Sequence, residues 1–294
     1  CDMYFFPETI ANSYLESGIR AKVCAAVSDN DEIYDSKSAL INIEKLLSSE
    51  QKSSDLIEFG IGPHSIYSCD EETLIKSSEL SKKYDCTLSI HASETRKEVT
   101  DCYEIHGMYP IEYLDSLDFL SEGTICAHCG WVTKKEMRIL SRNGAHAVHC
   151  PTSNQKLACG GTLSYPAMKD AEVSVLLGTD GAASNNSLDM RSEAKTASLI
   201  QKHDHWDASI LNPEETWKLA TNNSKDWITW DLDDIRLRPW GEGGSRLLPN
   251  LIYTGGDILD VFVSGNAIRR NGITQTINER EISEELENLV KDYY

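Results

Sequence analysis

Five apolar runs in this sequence each end in residues that can do chemistry. Leu56 to Gly62 leads into Pro63-His64-Ser65, and Thr87 to His91 leads into Ala92-Ser93-Glu94-Thr95. Thr124 to His128 leads into Cys129-Gly130, and Ala145 to His149 into Cys150-Pro151-Thr152-Ser153-Asn154. Val173 to Leu177 leads into Gly178-Thr179-Asp180-Gly181. A single histidine after a strand is ordinarily structural, and an aspartate there is ordinarily the N-cap of the next helix. Five in succession, all at the same ends of their runs, point instead to one site. Imidazole and carboxylate are ligands for zinc or ferrous iron, and an open position on such a metal holds a water. Bound Zn²⁺ lowers the pKa of its water from about 15.7 to near 7. A neighbouring carboxyl that carries a proton completes a hydrolytic site.

The elements that must position these residues alternate. Ala21 to Val27 is the first full strand, followed by a helical pattern from Ala39 to Leu47. Further helices are expected around Glu71 to Tyr84, near Lys134 to Asn143 and near Tyr165 to Ala171. Short runs rich in Val, Ile and Leu read as buried parallel strands. Strand–helix alternation places helices outside a parallel sheet. The expected class is therefore α/β, as a (β/α)₈ TIM-type barrel, which does its chemistry at the carboxyl ends of its strands. A doubly wound sheet is the runner-up, but no Gly-rich dinucleotide fingerprint follows any strand. From about residue 225 the texture changes. Trp227 to Leu232, Leu251 to Thr254 and Leu259 to Val263 read as strands, with turn chemistry at Asn266 and Asn271-Gly272. Glu281 to Tyr294 reads as an acidic terminal helix. The expected division is a barrel over 1–224 and a small β-sandwich-like module with its helix over 225–294.

Composition narrows the partners. The formal net charge of −19 would repel phosphates, which argues against nucleic acid. No apolar run reaches membrane-spanning length, and the expectation is a cytoplasmic protein without a signal peptide. The nine cysteines are odd in number and several lie inside apolar runs, so reduced, buried thiols are expected. Cys126-Ala-His-Cys129 spells a C-x-x-C, but a strand there sends its two sulfurs to opposite faces.

Taken in order, G-P-H-S, H-A-S-E-T, A-H-C, H-C-P-T-S-N and G-T-D-G-A-A-S-N-N resemble the amidohydrolase superfamily. More narrowly they resemble the 5-methylthioadenosine/S-adenosylhomocysteine deaminases, with chlorohydrolase-like relatives nearby. D-M-Y-F-F and S-N-N-S-L-D-M carry the same likeness, which covers nearly all of 2–223. The stretch from W-D-L-D-D-I-R-L-R-P to V-F-V-S-G-N-A-I is similar to the family's composite β-domain. The resemblance implies one divalent metal, zinc first and iron second, bound by His91 and Asp180. It implies that Glu94 protonates the purine ring, that His128 steadies the attacking water and leaving group, and that His64 contacts substrate. Asp180 would also take a proton from the water. Arg20, in S-G-I-R-A, resembles an arginine that reaches the substrate tail, in some members across a subunit interface; a surface salt bridge is its alternative. His149 is expected to be structural, and His106, His146, His203 and His205 to play no part. The implied reaction is hydrolytic deamination of an adenosine-type nucleoside by a homo-oligomer. The alternatives are another ring substrate, such as guanine or a triazine, or a truncated, metal-free pseudoenzyme serving as a binding subunit.

The sequence departs from the family in places. The family's H-x-H, which supplies two more ligands, ends no apolar run here. His203-Asp204-His205 has the spelling in a polar helical context. An upstream segment with that motif is therefore expected, as is the failure of this stretch alone to fold as a soluble monomer, because a barrel closes only when each strand pairs on both sides. The connection from Ala220 to Trp227 is shorter than usual, and Lys37 is the one basic residue between Asp29 and Ala39, where the family carries an arginine.

Overall fold

The computed structural model describes residues 1–29, 35–48, 54–221 and 225–291. The connection around 222–224 and the last turn of the expected terminal helix fall outside the described residues.

Among the described residues seven strands run parallel in chain order: β1 (Asp2–Tyr4), β2 (Ala21–Val27), β3 (Ile57–Pro63), β4 (Ser89–Ala92), β5 (Ile125–His128), β6 (His146–His149) and β7 (Ser174–Leu177). They form two ladders, β1-β2-β3 and β4-β5-β6-β7. Single parallel bridges, Ile61 to Leu88 and Ser65 to His91, join the ladders side by side. Among the described residues no ladder joins β7 back to β1. Gly60 shows why the junction needs a glycine. A Cβ there would lie 2.6 Å from the Thr87 carbonyl oxygen and 2.8 Å from the Cys24 sulfur.

Helices α1 (Pro7–Ser17), α2 (Ser36–Ser48), α3 (Glu71–Tyr84), α4 (Arg96–His106), α5 (Pro110–Ser116), α6 (Lys134–Asn143), α7 (Pro151–Lys156), α8 (Tyr165–Asp170), α9 (Ala182–Asn185), α10 (Met190–His205) and α11 (Pro213–Ala220) follow or link the strands. Their starts were written in the sequence. Thr133 with Glu136, and Asn212 with Glu215, form reciprocal capping boxes that satisfy the first free amides of α6 and α11. The main core lies between strands and helices. Ile61, Leu88, Ile90, Cys126 and Ala147 from the strands pack with Leu74, Leu114, Leu140 and Met168 from the helices.

The tail forms an antiparallel sheet of β8 (Trp227–Trp230), β9 (Ile258–Val263), β10 (Asn266–Arg270) and β11 (Ile273–Thr274). Asn271-Gly272 turns with both φ values positive, the geometry of a tight hairpin. Asn266 opens β10, and the preceding turn falls on Ser264-Gly265 instead. The expected strand at Leu251 to Thr254 is a helix, α12 (Leu247–Thr254). Helical spacing lets Leu248 and Ile252 meet Ala194 and Ala197 of α10 and Leu211, an apolar surface that needs a cover. The tail is therefore packed onto the barrel helices. It ends in α13 (Glu279–Lys291).

Candidate active site

Parallel strands in register collect their carboxyl ends on one side. His91 of β4 pairs with Ala127 of β5, Ala92 pairs with His128, and His64 follows β3 beside them. The ring centroids of His64 and His91 are 4.8 Å apart, and those of His91 and His128 are 5.4 Å apart. Three imidazoles from adjacent strands thus form a row. His91 Nδ1 lies 2.7 Å from the His64 carbonyl oxygen. A ring nitrogen facing a carbonyl must carry the proton, so Nδ1 donates and Nε2 keeps its lone pair for a ligand. The Asn154 amide nitrogen lies 3.0 Å from His128 Nδ1 and donates to it, which puts the proton of the neutral ring on Nε2. That Nε2 is 3.7 Å from Glu94 Oε2. The Cys159 thiol donates to the other Glu94 oxygen at 3.5 Å. His64 Nδ1 lies 3.0 Å from the Ser68 hydroxyl. Asp180 accepts the Ser153 hydroxyl at 2.5 Å and the Gly181 amide at 2.6 Å.

Left-handed backbone aims these side chains. Ser93 has φ 52°, His128 73°, Cys129 47° and Asp180 61°. For a residue with a Cβ, each such conformation costs roughly 1–2 kcal/mol. Strand alternation alone would send His128 to the same side as Cys126, into the core under the helices. The turned backbone brings its ring beside His91 instead. It also returns Cys129 to the cluster that holds Cys126, where its thiol donates to the Cys126 carbonyl at 3.5 Å. The two sulfurs of the C-x-x-C therefore share one side, contrary to the strand expectation. None of the nine cysteines is in a disulfide.

The electrostatics keep the row neutral and the aspartate charged. Burial pushes His64 down to about 4, helped by His91 and opposed by Glu94 and Asp180. Burial also holds His91 and His128 below the ordinary imidazole range. The approach of His128 to Glu94 is thus a neutral N–H facing a carboxyl group rather than an ion pair. Burial raises the Asp180 carboxyl, but bonds from Ser153 and Gly181, with the nearby His128, outweigh it and leave a net lowering. Glu98, in the first turn of α4, is pushed up to about 7 by burial.

Arg20 stands elsewhere. It precedes β2, whose seven residues separate it by about 20 Å from the end that faces the site. Its guanidinium bonds both Asp226 oxygens at 2.9 and 3.1 Å, the Asp55 carbonyl and the Ser264 hydroxyl. Within this chain it ties the foot of the barrel to the tail sheet, the salt-bridge alternative. His149 is buried with neither ring nitrogen bonded among the described residues, and it borders a cavity of about 230 Å³ with Asn154, Gln155 and Gly161. His106 stacks on Tyr113, and His205 bonds Ser164. Sequence reasoning passed over Ser153, Asn154, Cys159 and Glu98. The first two lie inside the quoted H-C-P-T-S-N, and Glu98 completes a Thr95-x-x-Glu98 capping signal.

The donor types suit a divalent metal: His91 presents Nε2, and Asp180 presents a carboxylate held ionised. Among the described residues, no three His, Cys, Asp or Glu side chains converge closely enough to hold one. Two donors are one fewer than the three protein ligands usual in a catalytic zinc site.

Parallel strands wrapped by helices, with imidazoles and carboxylates gathered at the strands' carboxyl ends, define a barrel hydrolase. Residues 1–231 match the Amidohydrolase family, and the chain belongs to that family. It is 34% identical to a 5'-deoxyadenosine deaminase of Methanothrix thermoacetophila, over 97% of this chain and 72% of that protein. It is 36% identical to a 5-methylthioadenosine/S-adenosylhomocysteine deaminase of Pyrococcus furiosus, over 99% of this chain and 73% of that protein. A crystal structure of an adenosine deaminase from Xanthomonas campestris with bound zinc superposes with a TM-score of 0.91 at 27% identity, covering 98% of this chain and 70% of that one.

Proposed function

We propose that the protein removes the 6-amino group of an adenosine-type nucleoside by hydrolysis. Water adds its oxygen to the purine, and the amino group leaves as ammonia, giving the inosine analogue. The observation that carries this reading is the Glu94–His128–His91 arrangement, in a chain whose relatives bear deaminase names. His91 and Asp180 would hold part of a divalent metal's shell, with zinc our choice of ion. A metal there would supply a water acidic enough to attack at neutral pH. Glu94 carries the proton: its carboxyl reaches both Cys159 and His128 and is partly open to solvent. It protonates the ring nitrogen as the water adds and regains a proton from the new hydroxyl as the tetrahedral carbon collapses, while the proton that Asp180 took from the water leaves with the amine. His128, fixed by Asn154 with its hydrogen on Nε2, donates to the oxygen and nitrogen at the tetrahedral carbon. His64, kept neutral, offers a hydrogen bond to substrate without a competing charge. Asp180, kept ionised by Ser153 and Gly181, accepts the water's proton. The barrel over 1–224 carries this chemistry and 225–294 braces it, in a cytoplasmic homo-oligomer.

The test is the loss of adenine absorbance and the release of ammonia on 5'-deoxyadenosine, methylthioadenosine and S-adenosylhomocysteine. Turnover on at least one supports the reading. Turnover on guanine or a triazine alone reassigns the substrate, and a protein that binds no metal and turns over nothing sinks it.

A further inference from the structure

Glu98 is buried in the first turn of α4, yet its carboxylate reaches out of the helix into the turn that carries Glu94. One oxygen accepts the Ser93 amide at 2.7 Å, and the other accepts the Glu94 amide at 2.8 Å. The Thr95 hydroxyl caps the helix by accepting the Glu98 amide at 3.1 Å. An ordinary capping box sends the glutamate back to the cap residue's own amide. Here both short bonds go one and two residues further, to the end of β4. That turn is strained at Ser93, whose hydroxyl is buried without a partner among the described residues. The Ser93 carbonyl accepts the Trp131 amide at 3.1 Å, so the turn is held from the β5 side as well. Two amide bonds, one to each oxygen of a single carboxyl group, fix the peptide planes on either side of Ser93. Those planes set the direction in which the Glu94 side chain leaves the backbone.

We propose that Glu98 is a positioning residue for the deamination: its carboxylate clamps the strained Ser93–Glu94 turn so that Glu94 faces His128 and the reacting ring. This rests on the reading that Glu94 carries the proton. The molecule contains its own control. Glu136 is equally buried in the first turn of α6 and accepts the Thr133 amide at 2.7 Å and the Ile111 amide at 3.0 Å. Neither of those residues touches the site, so Glu136 holds helices together and aims nothing.

Glu98→Gln keeps one acceptor but sets an N–H₂ against the second amide, donor against donor. It should lower kcat by about tenfold to a hundredfold, the scale of a misplaced catalytic group. KM should stay within about twofold and the metal content should be unchanged. In a Glu94→Gln background the same change should cost nothing further, because Glu98 acts only through Glu94. Glu136→Gln should lower the Tm and leave kcat within about twofold. Amide hydrogen exchange over 89–95 should quicken in Glu98→Gln, a readout that needs no turnover. Glu98→Asp keeps both acceptors on a shorter arm, and should show the same signs if the Gln variant does not fold. Additive losses with Glu94→Gln, an unchanged kcat, unchanged exchange, or an equal loss of kcat in Glu136→Gln would each overturn the clamp. If the native protein deaminates no nucleoside but exchange responds, the substrate reading fails and the clamp stands.

Discussion

A general acid–base group and a metal ligand fail in different ways, and Glu94 and His91 sit close enough to be confused. Glu94→Gln should lower turnover about a hundredfold or more while metal content, read by elemental analysis, stays at the native level. His91→Asn should lose metal and turnover together, since Nε2 is the atom that Nδ1's bond to His64 leaves free. Metal loss in the Glu94 variant would show that the ligand and the acid had been exchanged. Both residues were legible in the sequence because a barrel strand ends where chemistry is done. Asn154 beside His128, Ser153 beside Asp180 and Cys159 beside Glu94 were not, since nothing in a linear order says which loop folds over which strand.

Loops at the carboxyl ends interlock through backbone contact. A Cβ on Gly161 would lie 2.5 Å from the Trp131 indole nitrogen and 2.7 Å from the Gly130 carbonyl oxygen. The same indole nitrogen donates to the Cys159 carbonyl at 3.1 Å, so these two loops together bring the Cys159 thiol to Glu94. Gly161→Ala should force them apart. It should destabilise by about 1–3 kcal/mol, as overpacking does, and lower kcat by more than that loss of folded protein explains. Urea unfolding with activity measured on the same samples checks both. An unchanged kcat would separate the loops from the chemistry. The sequence told strands from helices well in the barrel, and in the tail it misread one of three expected strands. A short apolar run such as Leu251 to Thr254 fits either period, and its burial against α10 and α11 decided for a helix.

For the molecule as a whole, Arg20 marks where the barrel and the tail meet. Arg20→Ala removes an exposed but multiply bonded contact worth about 1 kcal/mol, or about 2–4 °C in Tm for a protein of this size class. Substrate KM should not move; a raised KM with unchanged melting would return Arg20 to the substrate. Acid should unfold the protein through its buried histidines. His149 is pushed by burial from 6.5 to about 4. The unfolded chain therefore takes up a proton first, and stability falls as pH drops from about 6.5 towards 4, by roughly 3 kcal/mol for this residue. Urea midpoints at pH 7 and pH 5 should differ, and less so in His149→Gln. A pH-independent midpoint would mean that the ring is already solvated. No helix among the described residues is long and apolar enough to cross a membrane.

The sequence by itself determined the alternation of strands and helices, and with it the face on which His64, His91, Glu94, His128 and Asp180 gather. Apolar period and strand-end chemistry are local properties, and every parallel strand obeys them alike. Only the tertiary structure decided which way His128 turns, because a left-handed residue at a strand end is held by its neighbours and not by its own preference. Tertiary packing also brought Asp226 and Ser264 to Arg20 from far along the chain, and the left-handed turn at Ser93 gave Glu98 two amides beyond its helix, a local contact that spacing alone does not disclose. Spacing along the chain carries the period of an element, whereas the partner of each side chain is chosen by what folds against it.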